Sequence, residues 1–245
     1  MTKRRILKLS GPDAGEFLQG LITNDIKGIN DGLVYAAILT PQGKYIADFF
    51  LSKRGDDILL DIADTHADTV KTRLTMYKLR ANVSIEESNL HLHRGLGPAP
   101  AMAYADPRHP EMGWRAYRET PQTDDAVDWT ALRVAHQIPE TGIELTSDSF
   151  ILEVGFERLS GVDFRKGCYV GQEVTARMKH KTELRKGLAC VSVDGVAEPG
   201  DPITKDGKPV GTLLSRSGNK ALAYLRFDRA DGALTARDAT VHKLD

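Results

Sequence analysis

Cysteine is nearly absent from this chain: Cys168 and Cys190 are the two such residues in 245. One pair of thiols is no disulfide framework for a chain of this size, and no CxxC or Cys/His cluster offers a zinc signature. Two thiolates are also too few to hold an iron-sulfur cluster within one chain, so no stable metal or cluster is expected. An excess of charge of one sign is lacking as well, with 33 basic against 34 acidic residues. Nothing global therefore points to nucleic acid or a membrane surface as partner. No apolar run approaches the roughly 20 residues needed to cross a bilayer. Met1-Thr2-Lys3-Arg4-Arg5 leads into only Ile6-Leu7 before Lys8, which is no signal-peptide apolar region, and Asp13 and Glu16 argue against a transit peptide. Reduced thiols in a bacterial-type cytoplasm are the expectation, with a mitochondrial matrix as the alternative. No sequence repeat is visible.

What is present is ordinary for a globular protein: 41% hydrophobic and 27% charged residues give a real core, in one large or two modest domains. The informative stretch is Lys166-Gly167-Cys168-Tyr169-Val170-Gly171-Gln172-Glu173. It sets a cysteine between two glycines, beside Arg165 and Lys166, ahead of helix formers in which Val174 and Met178 share a face and basic residues through Lys181 suit a C-terminus. Positive charge and helix N–H groups both favour thiolate over thiol, and a thiolate is the nucleophile and the metal ligand. Gly167 and Gly171 suit positive φ or close approach to the main chain. A buried cysteine in a tight structural turn is the competing reading.

Ser10-Gly11-Pro12 reads as a helix start with Phe17, Leu18 and Leu21 on one side. Runs at 33–39, 45–51 and 58–62, the first two joined by Pro41-Gln42-Gly43-Lys44, predict an antiparallel meander. Asp64 can cap a helix from Thr65 to about Leu79 in which Val70, Leu74 and Tyr77 share a face, followed by a strand near 83–86. Asp128 can cap another through Trp129, Leu132 and Val134. From Glu183 onward, short β-rich runs at 188–193, 210–214 and 221–227 with Asp-Gly and Ser-Gly-Asn turns predict a small barrel, in which Cys190 packs the core.

Other residues admit two readings each. His91 and His93, two apart, are half of a metal site or a polar strand face. Asp48, between Ala47 and Phe49, belongs on the exposed face of its strand, because an unpaired buried carboxylate is costly. Asn24 in Thr23-Asn24-Asp25 reads as an Asx-type turn. Arg165, Lys166, Arg177, Lys179, Lys181, Arg185 and Lys186 outnumber Glu173 and Glu183, which is either an anion site or a solvated helix face.

The string KGCYVGQE resembles the signature of the YgfZ family, and the resemblance continues in order through Phe17–Asp25, Leu39–Lys44, Tyr77–Arg80, Asp106-Pro107-Arg108 with Gly113-Trp114-Arg115, and Ile138-Pro139-Glu140. Mitochondrial cluster-assembly factors of the same family are similar to the chain too. The resemblance implies an α+β fold of the aminomethyltransferase type: a folate-binding domain over 1–182, with subdomains of about 1–88 and 89–182, and a β-barrel over 183–245. It implies tetrahydrofolate or a one-carbon derivative, possibly polyglutamylated, as cofactor, and iron-sulfur assembly factors and client iron-sulfur enzymes as partners. It assigns the essential thiol to Cys168 within the motif residues Lys166, Gly167, Tyr169, Gly171, Gln172 and Glu173. Asn24 and Asp48 are implied to face the pterin, and Arg185 the glutamate tail, where a guanidinium fork suits a carboxylate. The related aminomethyltransferases carry paired aspartates where this chain has Ala47-Asp48, and a lysine-to-glycine turn without the cysteine. A one-carbon or aminomethyl transferase is the alternative function; a cysteine-histidine hydrolase would need a histidine nearer Cys168 than His180.

Overall fold

A computed structural model describes residues 3–180 and 183–244. Lys181 of the basic stretch and the expected domain boundary at 182 lie outside the described residues. The chain divides into two compact units, Met1–Val127 with Phe156–Ala176, and Asp128–Gly155 with Arg177–Asp245. Among the described residues no helix is long and apolar enough to cross a membrane.

The first unit is built on a five-stranded sheet of β1 (Arg4–Ser10), β2 (Val34–Leu39), β3 (Tyr45–Arg54), β4 (Asp57–Ala63) and β5 (Ser84–Glu87), in the order β2-β3-β4-β1-β5. Every neighbouring pair is antiparallel. The meander β2-β3-β4 is as the strand-like runs predict, with the Pro41–Lys44 turn closed by Gly43 N–H donating to the Thr40 carbonyl at 2.8 Å. Period-two alternation sends Leu7, Leu9, Ala36, Ile38, Ala47, Phe49, Leu51, Leu60 and Ile62 to one face. There they form a core with Leu18 of α1 (Ala14–Gln19) and Ala67, Val70 and Leu74 of α2 (Asp64–Tyr77). Tyr77 is exposed rather than on that face, because the helix ends there. Asp64 does not cap α2; its carboxylate accepts from Arg5 Nε at 2.7 Å instead. A three-stranded sheet of β6 (His91–Gly95), β7 (Tyr104–Ala105) and β8 (Trp114–Arg118) has β8 in the middle. In β6, the His93 ring nitrogen Nε2 is hydrogen-bonded to the Thr120 carbonyl at 2.7 Å.

The opposite face of the large sheet is polar and aromatic. Asp61 is fully buried, accepts from Arg4 Nε at 2.7 Å and Arg115 Nη2 at 2.6 Å, and takes a third bond from the Tyr117 hydroxyl at 3.1 Å. Arg108 grips Asp106 with two bonds of 2.9 and 2.8 Å, and the Arg108 and Arg115 guanidinium carbons lie 4.7 and 3.9 Å from the Phe50 ring centroid. Burial alone would raise the Asp61 carboxyl, but Arg4 and Arg115 outweigh it and hold it down at about 2. Removing one partner of such a network leaves an uncompensated buried charge, so Asp61→Ala is expected to cost about 3–5 kcal/mol. Because the folded value lies below the unfolded one, the contribution is whole above the ordinary carboxylate range and drains away as pH falls toward about 2. Urea midpoints between about pH 2 and 6 should show that slope in the natural chain and a shallower one in Asp61→Asn.

The second unit contains α3 (Trp129–Ala135), whose N-cap Asp128 accepts from Ala131 N–H at 2.9 Å as its sequence predicts. Its main body is a closed six-stranded barrel of β9 (Lys186–Asp194), β10 (Pro202–Lys205), β11 (Lys208–Ser217), β12 (Lys220–Arg226), β13 (Leu234–Ala236) and β14 (Ala239–Lys243), in the order β10-β11-β12-β9-β14-β13. Residues 128–155, expected in the folate domain, belong to this unit. Ala189, Val191 and Val193 of β9 point into the barrel core. Cys190 alternates with them and so lies on the outer face of the strand, still buried, which corrects its placement in the core. Burial pushes its thiol up, against smaller opposing effects of Lys220 and the Val191 backbone. Cys190→Ser should cost about 1–3 kcal/mol, read from the denaturant midpoint, and leave function intact at matched folded concentration.

Candidate functional site

The KGCYVGQE segment belongs to the first unit and precedes α4 (Gln172–His180). Lys166 is buried, not part of a basic surface, and its ammonium donates to the carbonyls of Gln19 and Ile22 at 2.7 and 2.5 Å. Burial pulls it down to about 8, against Asp25 and Asp163, which hold it up. Its Nζ also lies 5.0 Å from the ring centroid of Tyr169, itself buried. Val170 N–H donates to the Gly20 carbonyl at 3.3 Å, and Asp163 N–H to the Thr23 carbonyl at 3.1 Å. The loop is thereby fastened to the turn after α1, which is the FLQGLITND segment.

A third segment meets it at a pair of glycines. Gly171 has φ +87°, and a Cβ on it would stand 2.6 Å from the Thr40 carbonyl oxygen and 2.9 Å from Leu39 Cβ. Gly43, in the β2–β3 turn, has φ +75°, and its Cβ would stand 2.8 Å from Val174 Cβ. Only glycine fits both the backbone conformation and the approach. Gly167 carries neither constraint: its φ is not positive, and an added Cβ would meet nothing within 4 Å. Between the buried anchors Lys166 and Tyr169, Cys168 is exposed. The buried-turn reading of this cysteine is therefore overturned, while Cys190 is the buried thiol. Cys168 precedes Gln172, the first residue of α4, by four positions, beyond the first turn in which a helix N-terminus acts strongly. Glu173 lies in that turn, and Arg177, Lys179 and His180 lie in the last, as the dipole favours.

Asn24 and Asp48 are in the same unit. Asn24 donates through its amide nitrogen to the carbonyls of Tyr35 and Ser160 at 2.9 and 2.8 Å, and its oxygen accepts from Asp25 N–H. The Asx turn belongs instead to Asp25, whose carboxylate accepts from Lys27 N–H at 2.9 Å, while the Asn24 amide ties the segment to β2 and to Ser160. Asp48 is buried at 4% exposure, not on an open face. It accepts from the Tyr45 hydroxyl at 2.7 Å and the Tyr35 hydroxyl at 3.1 Å, which supply the partners a buried carboxylate requires. Tyr35 is held well above its usual range, first by burial and then by the Asp48 charge, so it stays a donor.

Arg185 belongs to the second unit and is exposed. It lines a cavity of about 1120 Å³ with Glu153, Glu183, Lys186, Tyr224 and Arg226. Glu153 is buried, accepts from the Tyr224 hydroxyl at 2.5 Å and has Lys186 Nζ at 3.8 Å. Burial, then the bond to Glu153, pushes the Tyr224 phenol up. Sequence reasoning passed over Glu153 and Tyr224. The available signal was a lone acid in the apolar run Phe150-Ile151-Leu152-Glu153-Val154, which demands a partner. The cations Arg185, Lys186 and Arg226 are the residues here that could take the carboxylates of a folate, while Glu153 is already engaged by Tyr224 and Lys186. Asn24 and Asp48 fit less directly, since backbone carbonyls and tyrosine hydroxyls already engage them.

An α+β body with a closed six-stranded barrel is the aminomethyltransferase-like fold, here with an exposed thiol on an anchored loop. The glycine cleavage system aminomethyltransferase T of Bartonella henselae superposes with a TM-score of 0.77, covering 98% of this chain and 82% of that one, at 12% identity. Residues 185–243 match the CAF17 C-terminal beta-barrel domain. The iron-sulfur cluster assembly factor IBA57 homolog, mitochondrial, of Pyricularia oryzae is 31% identical over 93% of this chain and 71% of its own length. The Mus musculus factor is 30% identical over 94% of this chain and 78% of its own. The chain belongs to the IBA57 family of iron-sulfur cluster assembly factors. The cytoplasmic placement is corrected by the same comparisons, because these relatives are named as mitochondrial. That placement rested on the expectation of reduced thiols, which a mitochondrial matrix shares with a cytoplasm.

Proposed function

We propose that this protein supports assembly or repair of iron-sulfur clusters in client enzymes, as a folate-binding member of its family that uses the Cys168 thiol. The observation that carries the reading is the presentation of Cys168: an exposed thiol held between two buried anchors, in a chain whose relatives are named as cluster assembly factors. Such a thiol can attack an electrophile, exchange with a partner's sulfur, or lend one ligand to a cluster in transit. Cys190 is buried, so the remaining ligands of a cluster in transit would come from the assembly partner. In this proposal Asn24 and Asp48 position the loop and sheet, while Arg185, Lys186 and Arg226 receive the carboxylates of the folate tail.

The test has two parts. Cells lacking the protein should lose cluster-dependent enzyme activities and regain them with the natural chain; an unchanged set of activities would remove the assembly role. Calorimetry with mono- and polyglutamylated tetrahydrofolate should give tighter binding of the longer tail, by a margin that narrows as salt shortens the screening length toward about 8 Å. Equal affinities at low salt, or no loss in Arg185→Ala, would move the folate elsewhere. Glycine-cleavage activity in a reconstituted assay would replace the reading with an aminomethyl transferase.

A further inference from the structure

Among the large apolar side chains left exposed in the described residues, three cluster at the end of α2: Met76, Tyr77 and Leu79, at 67, 37 and 87% exposure. Leu79 is also left-handed, with φ +42°. A helix commonly ends on a left-handed residue, but glycine or asparagine takes that conformation with least strain. A leucine there carries a backbone cost and gains no burial in return. The two unfavourable features coincide on one side chain, which is the pattern of a residue kept for a contact outside its own fold.

The surroundings say what kind of contact. Met76 and Tyr77 line a groove of about 490 Å³ with Asp68, Thr69, Thr72 and Arg73. From Thr69 to Asn82 the sequence holds Lys71, Arg73, Lys78 and Arg80 and no acid; Lys71 is paired with Glu87 at 3.5 Å and Lys78 donates to the Val83 carbonyl at 2.9 Å, so Arg73 and Arg80 are the cations that flank the apolar residues. Arg73 is laid over Tyr77, its guanidinium carbon 6.0 Å from the ring centroid and its Nη1 donating to the hydroxyl at 3.2 Å, which stiffens one wall. Asp68, nearer the N-terminal end of the same helix, is paired with Arg5 at 2.6 Å. Apolar anchors beside a one-sided run of cations are complementary to an acidic segment with apolar side chains on one face. All the lining residues lie on α2 and include the carboxylate of Asp68 beside Arg73, and one helix face of mixed charge suits a polypeptide segment better than an anionic lipid surface.

We propose that the C-terminal end of α2, with Met76, Tyr77 and Leu79 at its centre and Arg73 and Arg80 beside them, docks an acidic amphipathic segment of a protein partner. The proposal does not depend on the folate reading.

The experiment uses the full chain in cells, with the photo-reactive residue p-benzoylphenylalanine in place of Leu79, and in place of Val196, exposed at 62%, as control. A protein adduct is expected at position 79 and not at 196. That protein, purified, should bind the natural chain and lose about tenfold in affinity to Leu79→Asn and to Arg80→Glu. Asparagine tolerates the left-handed backbone, so Leu79→Asn should keep or raise the melting temperature while losing the partner. A merely structural leucine would show the reverse. Adducts equal at 79 and 196, an adduct that is chiefly lipid, or undiminished affinity in Leu79→Asn would each overturn the proposal.

Discussion

Cells in which Cys168→Ser replaces the natural chain should have iron-sulfur enzyme activities no higher than cells lacking the protein, although the variant folds and binds folate normally. Serine replaces one exposed atom by a smaller one, and the anchors at Lys166 and Tyr169 are untouched, so a stability change within about 0.5 kcal/mol is expected. A hydroxyl is neither a good nucleophile at neutral pH nor a soft metal ligand, so each role open to the thiol is lost together. The measurement is cluster-dependent activity at matched expression, beside a folate titration of the purified variant. Full rescue would sink the thiol chemistry and leave a folate-binding scaffold.

Gly171→Ala should be among the most damaging single-methyl changes in the first unit. The new Cβ meets the Thr40 carbonyl at 2.6 Å in a backbone conformation that L side chains avoid. Strain and overpacking together are expected to cost about 2–5 kcal/mol, a large part of the stability of a typical domain. Relief would come by lifting the loop from the β2–β3 turn, so alkylation of Cys168 should change in rate and rescue should fall with it. Gly167→Ala is the matched control, since its Cβ meets nothing, and should lie within about 0.5 kcal/mol of the natural chain. Equal midpoints for the two variants in urea would refute the packing argument.

The sequence made legible whatever depends on near neighbours. The β2-β3-β4 meander shows in its strand-like runs and its Pro-Gln-Gly-Lys turn, the Asp128 cap in its spacing, and the barrel in its turn signals. What it concealed depends on partners far along the chain. β1 begins with two arginines and reads as polar, yet Arg4 is satisfied by Asp61, 57 residues on. Asp48 belongs on an open face until Tyr35 and Tyr45 are known to converge on it. Lys166 looked like surface charge because nothing local shows that the carbonyls of Gln19 and Ile22 await it. At the candidate site, the thiol and the need for glycine at 171 were legible. The buried carboxylate of Glu153 was not, because its tyrosine partner lies 71 residues away.

The interleaving of the two units sets an order of events on the ribosome. Residues 156–176 complete the first unit, but 128–155, which belong to the second, are made before them. Lys166 follows Gln19 by 147 residues. At about 5–20 residues per second, the carbonyls it will bind wait roughly 7 to 30 seconds after their own synthesis. During that interval the nascent sheet is without its closing segment, and the last piece to arrive carries Cys168. The Cys168 thiol therefore emerges only with the segment that completes the first unit, so a chain stalled before that point exposes unfinished structure but no Cys168.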